Sequence, residues 1–326
     1  MPDAAAEGAQ TKTAMSVLCI GQLVADVVVR PVDALPHPGR TNLAEDLQVY
    51  SGGCAANTAA VLAKLGAEVR LASLIGQDVL GDAALADLKQ TGVRLDAVMR
   101  ESSNPTSAVI VLISSTGERS FIYRYGGNEV LSNRHLSDAL LQSSRIIHVG
   151  GALKMLHLDL EELFARAKSF GAITSLDTDW DPNGFWMKRL RGALPNTDYL
   201  FTNQEEAAML AGKEDPRQAA RELLARGAQV VIVKRGEHGS MLCSRAVEIE
   251  LPAYRVEVRD TTCAGDSFVA GFLLGLSRSS PLEEVMKLGN AAGALCTTQL
   301  SHRGITSLAD LDQLIKTQAI LATTQA

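Results

Sequence analysis

The chain has 326 residues, 46% of them apolar and 21% charged, which excludes collagen-like, coiled-coil and largely disordered proteins. Its length allows two domains or one large α/β domain with an appendage. Thirty-one basic against thirty-seven acidic residues give a net charge of −6 with no Lys/Arg block, so the footprint of a general nucleic-acid binder is missing.

The first residues, 1–15, are small and mostly polar, with no apolar core of a secretion signal, and are expected to form a flexible tail. Short apolar runs then alternate with segments of helical period, a pattern that predicts parallel strands joined by helical crossovers. The expected strands are Val17–Val24, Val69–Ile75, Arg145–Val149, Ile173–Asp177, Tyr199–Thr202 and Gln229–Lys234, mostly continuous Val/Ile/Leu runs suited to buried parallel strands. The expected helices are Ala55–Leu65, Leu80–Gln90, Leu158–Lys168, Gln204–Leu210, Pro216–Arg226, Ala264–Leu276, Pro281–Thr297 and Leu308–Thr323. Two stretches break the rhythm. Asp26–Tyr50 and Thr106–Tyr125, the second with an S-S-T-G-E turn, read as extended antiparallel insertions forming one small subdomain. The fold class is α/β.

The longest aliphatic run, Ala108–Ile113, is far too short to span a bilayer, so no membrane partner is expected. Five cysteines without a C-x-x-C pair suit reduced thiols in a cytoplasmic protein. Neither a Walker loop nor a G-x-G-x-x-G fingerprint occurs, which disfavours P-loop NTPases and dinucleotide-binding dehydrogenases.

The strongest chemical signal is Asp260-Thr261-Thr262-Cys263-Ala264-Gly265-Asp266, directly ahead of an apolar helical stretch. Small residues opening a helix expose backbone N–H groups to an anion, and an Asp in the first turn can take a proton from an attacking hydroxyl. The plain alternative is an ordinary helix start with Asp in its favoured place. The second signal is Gly52-Gly53 followed by Asn57, where a bare backbone and an amide suit a polyol, or else form a turn before a packed Ala-rich helix. Asn203 with Glu206 reads, locally, as an N-cap with a Glu three residues on. The acidic run Asp177-Thr178-Asp179-Trp180-Asp181 ends a strand, either near a ligand or as a solvated loop, and His148 between Ile147 and Val149 reads as a core residue.

Gly52-Gly53 through Gly81-Asp82, and Asp260 through Asp266, resemble the two signatures of the ribokinase-like (PfkB) carbohydrate kinase family. Asn203–Glu206, Lys234–Gly239 and Asn290–Gly293 fall in that family's order, so the resemblance spans residues 16–318. It implies a ribokinase-like three-layer α/β/α sandwich over residues 16–326, with a small β-sheet lid from about 26–50 and 106–125. It further implies Asp266 as catalytic base, with the N–H groups of Cys263, Ala264 and Gly265 as anion hole. Asp26, Gly52, Gly53 and Asn57 would cradle the sugar. Lys234, Gly236, Gly239 and Asn290 would bind ATP, and Asn203 and Glu206 would hold Mg²⁺ through water. Asp260, with Ser301 and Gly304, falls near the family's monovalent-cation loop, where K⁺ would bind. Many relatives have glycine at Cys263, so this chain departs from the pattern there. A thiol at a helix start is either reactive or simply packed.

On the lid hairpin, Arg124 is a candidate substrate contact that would favour a sugar acid or phosphorylated sugar, although strand alternation puts Tyr123 and Arg124 on opposite faces, so at most one of them meets the ligand. The resemblance as a whole implies an ATP- and Mg²⁺-dependent kinase moving the γ-phosphoryl group to a primary hydroxyl of a pentose, ketohexose or sugar acid. A nucleoside kinase of the same fold and a non-catalytic sugar- or nucleotide-binding regulator are the alternatives. A homodimer pairing two lids is expected from unpaired lid edges.

Overall fold

The computed structural model describes residues 16–324; the expected tail at 1–15 lies outside them. The strands are β1 (Val17–Gly21), β2 (Val24–Arg30), β3 (Asp46–Gly52), β4 (Val69–Gly76), β5 (Arg94–Glu101), β6 (Ala108–Ile113), β7 (Arg119–Arg124), β8 (Ile146–Gly150), β9 (Ile173–Asp177), β10 (Tyr199–Asn203), β11 (Val230–Lys234), β12 (Ser240–Ser244) and β13 (Glu248–Leu251). The helices of two turns or more are α1 (Cys54–Lys64), α2 (Val79–Lys89), α3 (Leu160–Ser169), α4 (Gln204–Ala211), α5 (Pro216–Ala225), α6 (Ala264–Ser277), α7 (Leu282–Cys296) and α8 (Leu308–Thr324).

Nine strands form one sheet in the order β13-β12-β11-β10-β9-β8-β1-β4-β5, parallel from β11 to β5. Successive side chains on a strand point to opposite faces. On β1, Leu18 and Ile20 therefore enter a core shared with α3, α4 and α5, while Val17 and Cys19 enter the core beneath α1, α6 and α7. Three layers result, as expected. The chain leaves β1 toward β4 on one side, and β8 begins the run on the other. Between them lies the switch point at which open α/β sheets bind ligands beyond their strand C-termini. Asp177, Asn203 and Lys234 all end strands at that edge, and register pairs Asn203 with Lys234.

The second sheet, β3-β2-β6-β7, is the lid. Two expectations change. The run Val17–Val24 is two strands, because Gln22 and Leu23 turn the chain out of the main sheet; Ala56 donates its N–H to Gln22 O at 3.1 Å and Leu23 N–H reaches Asn128 Oδ1 at 3.1 Å. The lid is also not wholly antiparallel: β2 pairs antiparallel with β3 but parallel with β6, since the chain returns to it after α2 and β5. The β6–β7 hairpin is as expected, turning at Ser114–Glu118 with Gly117 at φ 86°. Among the described residues no helix is long and apolar enough to cross a membrane.

Candidate active site

The segment Asp260–Asp266 lies at the start of α6, as expected. Cys263 is the residue that turns into the helix, and it does so in the left-handed region at φ 63°. That conformation favours glycine and costs another residue about 1 kcal/mol or more. The departure from the family pattern thus falls where a side chain is strained. Its thiol lies 3.4 Å from Ser301 Oγ, and burial, followed by the charge of Asp266, raises the thiol well above its ordinary range. The shift favours the neutral thiol, on a half-buried side chain that borders the cavity. Of the three N–H groups expected in the anion hole, that of Ala264 makes a long 3.3 Å turn bond to Thr261 O. A Cβ on Gly265 would stand 3.1 Å from Lys234 Nζ, so a side chain there would crowd the lysine head.

Asp266 is buried in the first turn of α6 and accepts a 2.8 Å hydrogen bond from Asn57 Nδ2 on α1. Burial, reinforced by Asp177, pushes its carboxyl up to about 7, against the pull of Asn57 and Lys234. Asp26 on β2 is pushed up to about 7 as well, by burial first and then by the charge of Asp266. Two carboxyls poised near neutrality in one cleft are the arrangement that proton transfer needs.

Both border a cavity of about 320 Å³ between the lid and the strand ends. Its floor holds Asn57, Cys54 and Gln22; its roof is the inward face of the lid, including Val28, Val111 and Phe121. A Cβ on Gly52 would overlap the Asp26 carboxylate, and one on Gly53, at φ 95°, would stand 2.7 Å from Gln22 O. Both glycines let the lid strand and α1 meet around the cavity. Asn57 Oδ1 and Gln22 Nε2 are buried without a hydrogen-bond partner among the described residues. Such orphaned groups suit polyol hydroxyls.

On the other side of Asp266, Lys234 Nζ pairs with Asp177 Oδ1 at 2.7 Å in a buried contact. Despite burial, Asp177 and Glu206 hold the lysine charged and raise its pKa. Glu206 Oε2 accepts from Asn203 N at 3.0 Å and Thr178 Oγ1 at 2.7 Å, while Asn203 Oδ1 accepts from Glu206 N at 2.8 Å, a complete capping box. Burial raises the Glu206 carboxyl, with Lys234 opposing and Asp177 adding. The local reading as a helix cap is therefore what the structure displays. A carboxylate is the hard oxygen donor that can hold a cation through water, and no cluster of three or more metal-binding side chains occurs among the described residues. Gly236 has φ 55° and open space where a Cβ would project, a bare backbone that a nucleotide can approach.

Other expected residues have structural duties. Gly239, at φ 83°, is required because a Cβ would overlap Leu251 O on the neighbouring strand. The amide of Asn290 is spent inside the protein, accepting from Ser240 Oγ at 2.8 Å and donating to Pro252 O at 3.1 Å. Arg124 does not reach the cavity. Strand alternation turns Arg119, Phe121 and Tyr123 inward and Arg124 outward, where its guanidinium donates to Thr106 O at 2.8 Å. Asp260 is not free for a cation. Oδ1 accepts from Thr262 N at 2.7 Å and pairs with Arg119 at 2.5 Å, and Oδ2 accepts from Ser301 N at 2.9 Å.

Sequence reading missed Gln22, Cys54, Arg119 and Lys154 on the cavity wall, the last joined at 2.8 Å to Asp179 of the acidic run. Asp179 was visible within an acidic run, and its φ of 61° places it beside Lys154. Arg119 gave no local signal.

A poised carboxylate at a helix start, a bare-backbone turn, a buried lysine and a polyol cradle under a lid define a phosphotransferase acting on sugars. The chain belongs to the pfkB family of carbohydrate kinases, whose pattern matches residues 14–307. It is 27% identical over 290 residues to the ribokinase of Bacillus subtilis, covering 89% of this chain and 95% of that protein. It is 29% identical over 280 residues to an ATP-dependent ribose-1-phosphate kinase of Halopiger xanaduensis, covering 86% and 90% of the two chains. The solved structure of Arabidopsis thaliana ribokinase complexed with ribose and ATP superposes with a TM-score of 0.82 at 26% identity, covering 93% of this chain and 99% of that one.

Proposed function

We propose that the protein transfers the γ-phosphoryl group of ATP to a primary hydroxyl of a small sugar such as a pentose or ketohexose. The observation that carries this reading is Asp266, at the start of α6, hydrogen-bonded to the sugar-side Asn57 and raised toward neutrality. Asp26 and Asn57 hold the hydroxyls, and Asp266 Oδ takes the proton of the attacking one. The N–H groups of Cys263 and Gly265, with the charge of Lys234, face the phosphoryl oxygens as their charge grows. Asn203 and Glu206 would hold Mg²⁺ through water, and that ion supplies charge neutralisation across the phosphates. The apolar lid roof excludes water, so hydrolysis does not compete.

ADP release from ATP and Mg²⁺ across a panel of pentoses, ketohexoses, sugar acids and sugar phosphates tests the reading. One class should turn over, and Asp266→Asn should lower kcat by about 100- to 10,000-fold. Turnover unchanged in Asp266→Asn would refute the assignment.

The lid also supports a homodimer. Leu47, Ile110 and Ile122 leave an apolar outer face, with Leu47 62% and Ile122 55% exposed, and a second copy is the occupant we propose for it. Light scattering should give twice the chain mass at micromolar concentration, and Ile122→Lys should halve it.

A further inference from the structure

One lid side chain makes polar contacts to the catalytic turn. Arg119, at the tip of β7, ion-pairs with Asp260 Oδ1 at 2.5 Å and also donates to Thr262 Oγ1. It is separated from Asp260 by 141 residues, so only the folded lid brings it there. Asp260 itself is 5% exposed and organises the turn, since its two oxygens accept the N–H groups of Thr262 and Ser301. The carboxylate that a monovalent cation would have to share is therefore already met by two backbone donors and a guanidinium. Its oxygens do not fit K⁺ in addition.

We propose that Arg119 is a positioning residue that supplies the counter-charge at Asp260 in place of a metal cation and sets the anion-hole turn as the lid closes. Two consequences follow, and they rest on the kinase reading above. The enzyme needs no monovalent cation, because its own arginine fills that role. The turn that carries Cys263, Ala264 and Gly265 is fully ordered only when the lid is down, so ATP alone meets an unfinished site. A guanidinium suits the task better than an ammonium, since it donates to Asp260 and Thr262 together from one planar fork.

Initial rates of the full chain should be measured with the sugar found active, in tetramethylammonium, sodium and potassium chloride at equal ionic strength. Equal rates are expected, and a several-fold increase specific to potassium would overturn the proposal. Arg119→Ala should lower kcat by about 10- to 100-fold, the scale of a misplaced catalytic geometry, with the ATP KM little changed. Added guanidinium chloride should restore part of the loss, and the variant should become responsive to potassium. Arg119→Lys keeps the charge without the fork and should fall between the two; it serves if the alanine variant does not fold. Wild-type kcat in Arg119→Ala would overturn the proposal. Hydrogen exchange separates this idea from the kinase reading: even if no sugar turns over, Arg119→Ala should speed exchange in both 106–125 and 260–266. Unchanged exchange at 260–266 would show that no clasp exists.

Discussion

At the scale of single residues, the raised carboxyl groups, Asp26, Asp177, Glu206 and Asp266, gather around one cleft, and much of the backbone strain lies beside them. Among the described residues five non-glycines have positive φ, and three of them, Asp179, Cys263 and Ser301, line the cavity. Because Cys263 already holds a backbone that glycine adopts freely, Cys263→Gly should leave the turn in position. Its kcat is expected to match the parent's, measured under the same saturating conditions. Asp26 and Asp266 are both raised from 3.8 to about 7, each chiefly by burial, with the charge of Asp266 adding to Asp26 and that of Asp177 adding to Asp266. The base must be ionised, so kcat/KM should climb through about pH 7 to a plateau, and a profile flat from pH 5 to 9 would contradict the assignment. The stability sign is opposite. A carboxyl whose pKa is raised on folding binds protons more tightly in the native state, so its contribution falls as pH rises from about 4 to 7. Asp266→Asn should flatten that decline in urea unfolding midpoints. Gly52→Ala should raise the sugar KM while the protein stays folded, because the new Cβ displaces the Asp26 carboxylate.

At the scale of elements, α6 is the part that both packs the core and presents Asp266, the proposed base. Its middle is buried through Ser277, and it lies against α7 so closely that a Cβ on Gly275 would stand 2.9 Å from Val285 Cγ2 and one on Gly271 would overlap Leu288 O. Gly271→Ala should therefore cost about 1–3 kcal/mol by overpacking, read as a lower urea midpoint with an unchanged slope. What the sequence made legible follows from locality. The helix start at Ala264, the Gly52-Gly53 turn and the Asn203–Glu206 cap are each built from neighbours in the chain, and each stands where it was expected. Strands β5, β12 and β13 escaped. Arg94–Glu101 and Glu248–Leu251 interleave charged residues with apolar ones, as half-exposed outer strands do, and they lack the continuous apolar run of the central strands.

For the whole molecule, the site is an encounter of segments far apart in sequence, and this limits what a linear reading can find. Asn57 meets Asp266 across 209 residues, Lys234 meets Asp177 across 57, and Arg119 meets Thr262 across 143. Arg124 looked informative because it sits in a motif-like hairpin, yet strand parity turned it outward and left Arg119 inside. No composition or spacing carries that parity until β6 and β7 are in register. The sheet order, in contrast, follows from the alternation of strands and helices, since right-handed crossovers leave few ways to lay parallel strands side by side.

The two-residue link Gln22–Leu23 between β1 and β2 has a mechanical meaning. It makes the roof a lever whose fulcrum is pinned to α1 and to Asn128. Asp26 sits three residues out, roughly 10 Å along the strand, whereas Ile113, paired with Arg119, lies level with the far end of β2, roughly 23 Å out. A given rotation therefore carries the tip about twice as far as the Asp26 carboxylate. A rotation that parts Arg119 from Asp260 by a given distance would thus move Asp26 by about half of it, so the clasp at the tip is the more sensitive of the two to lid angle.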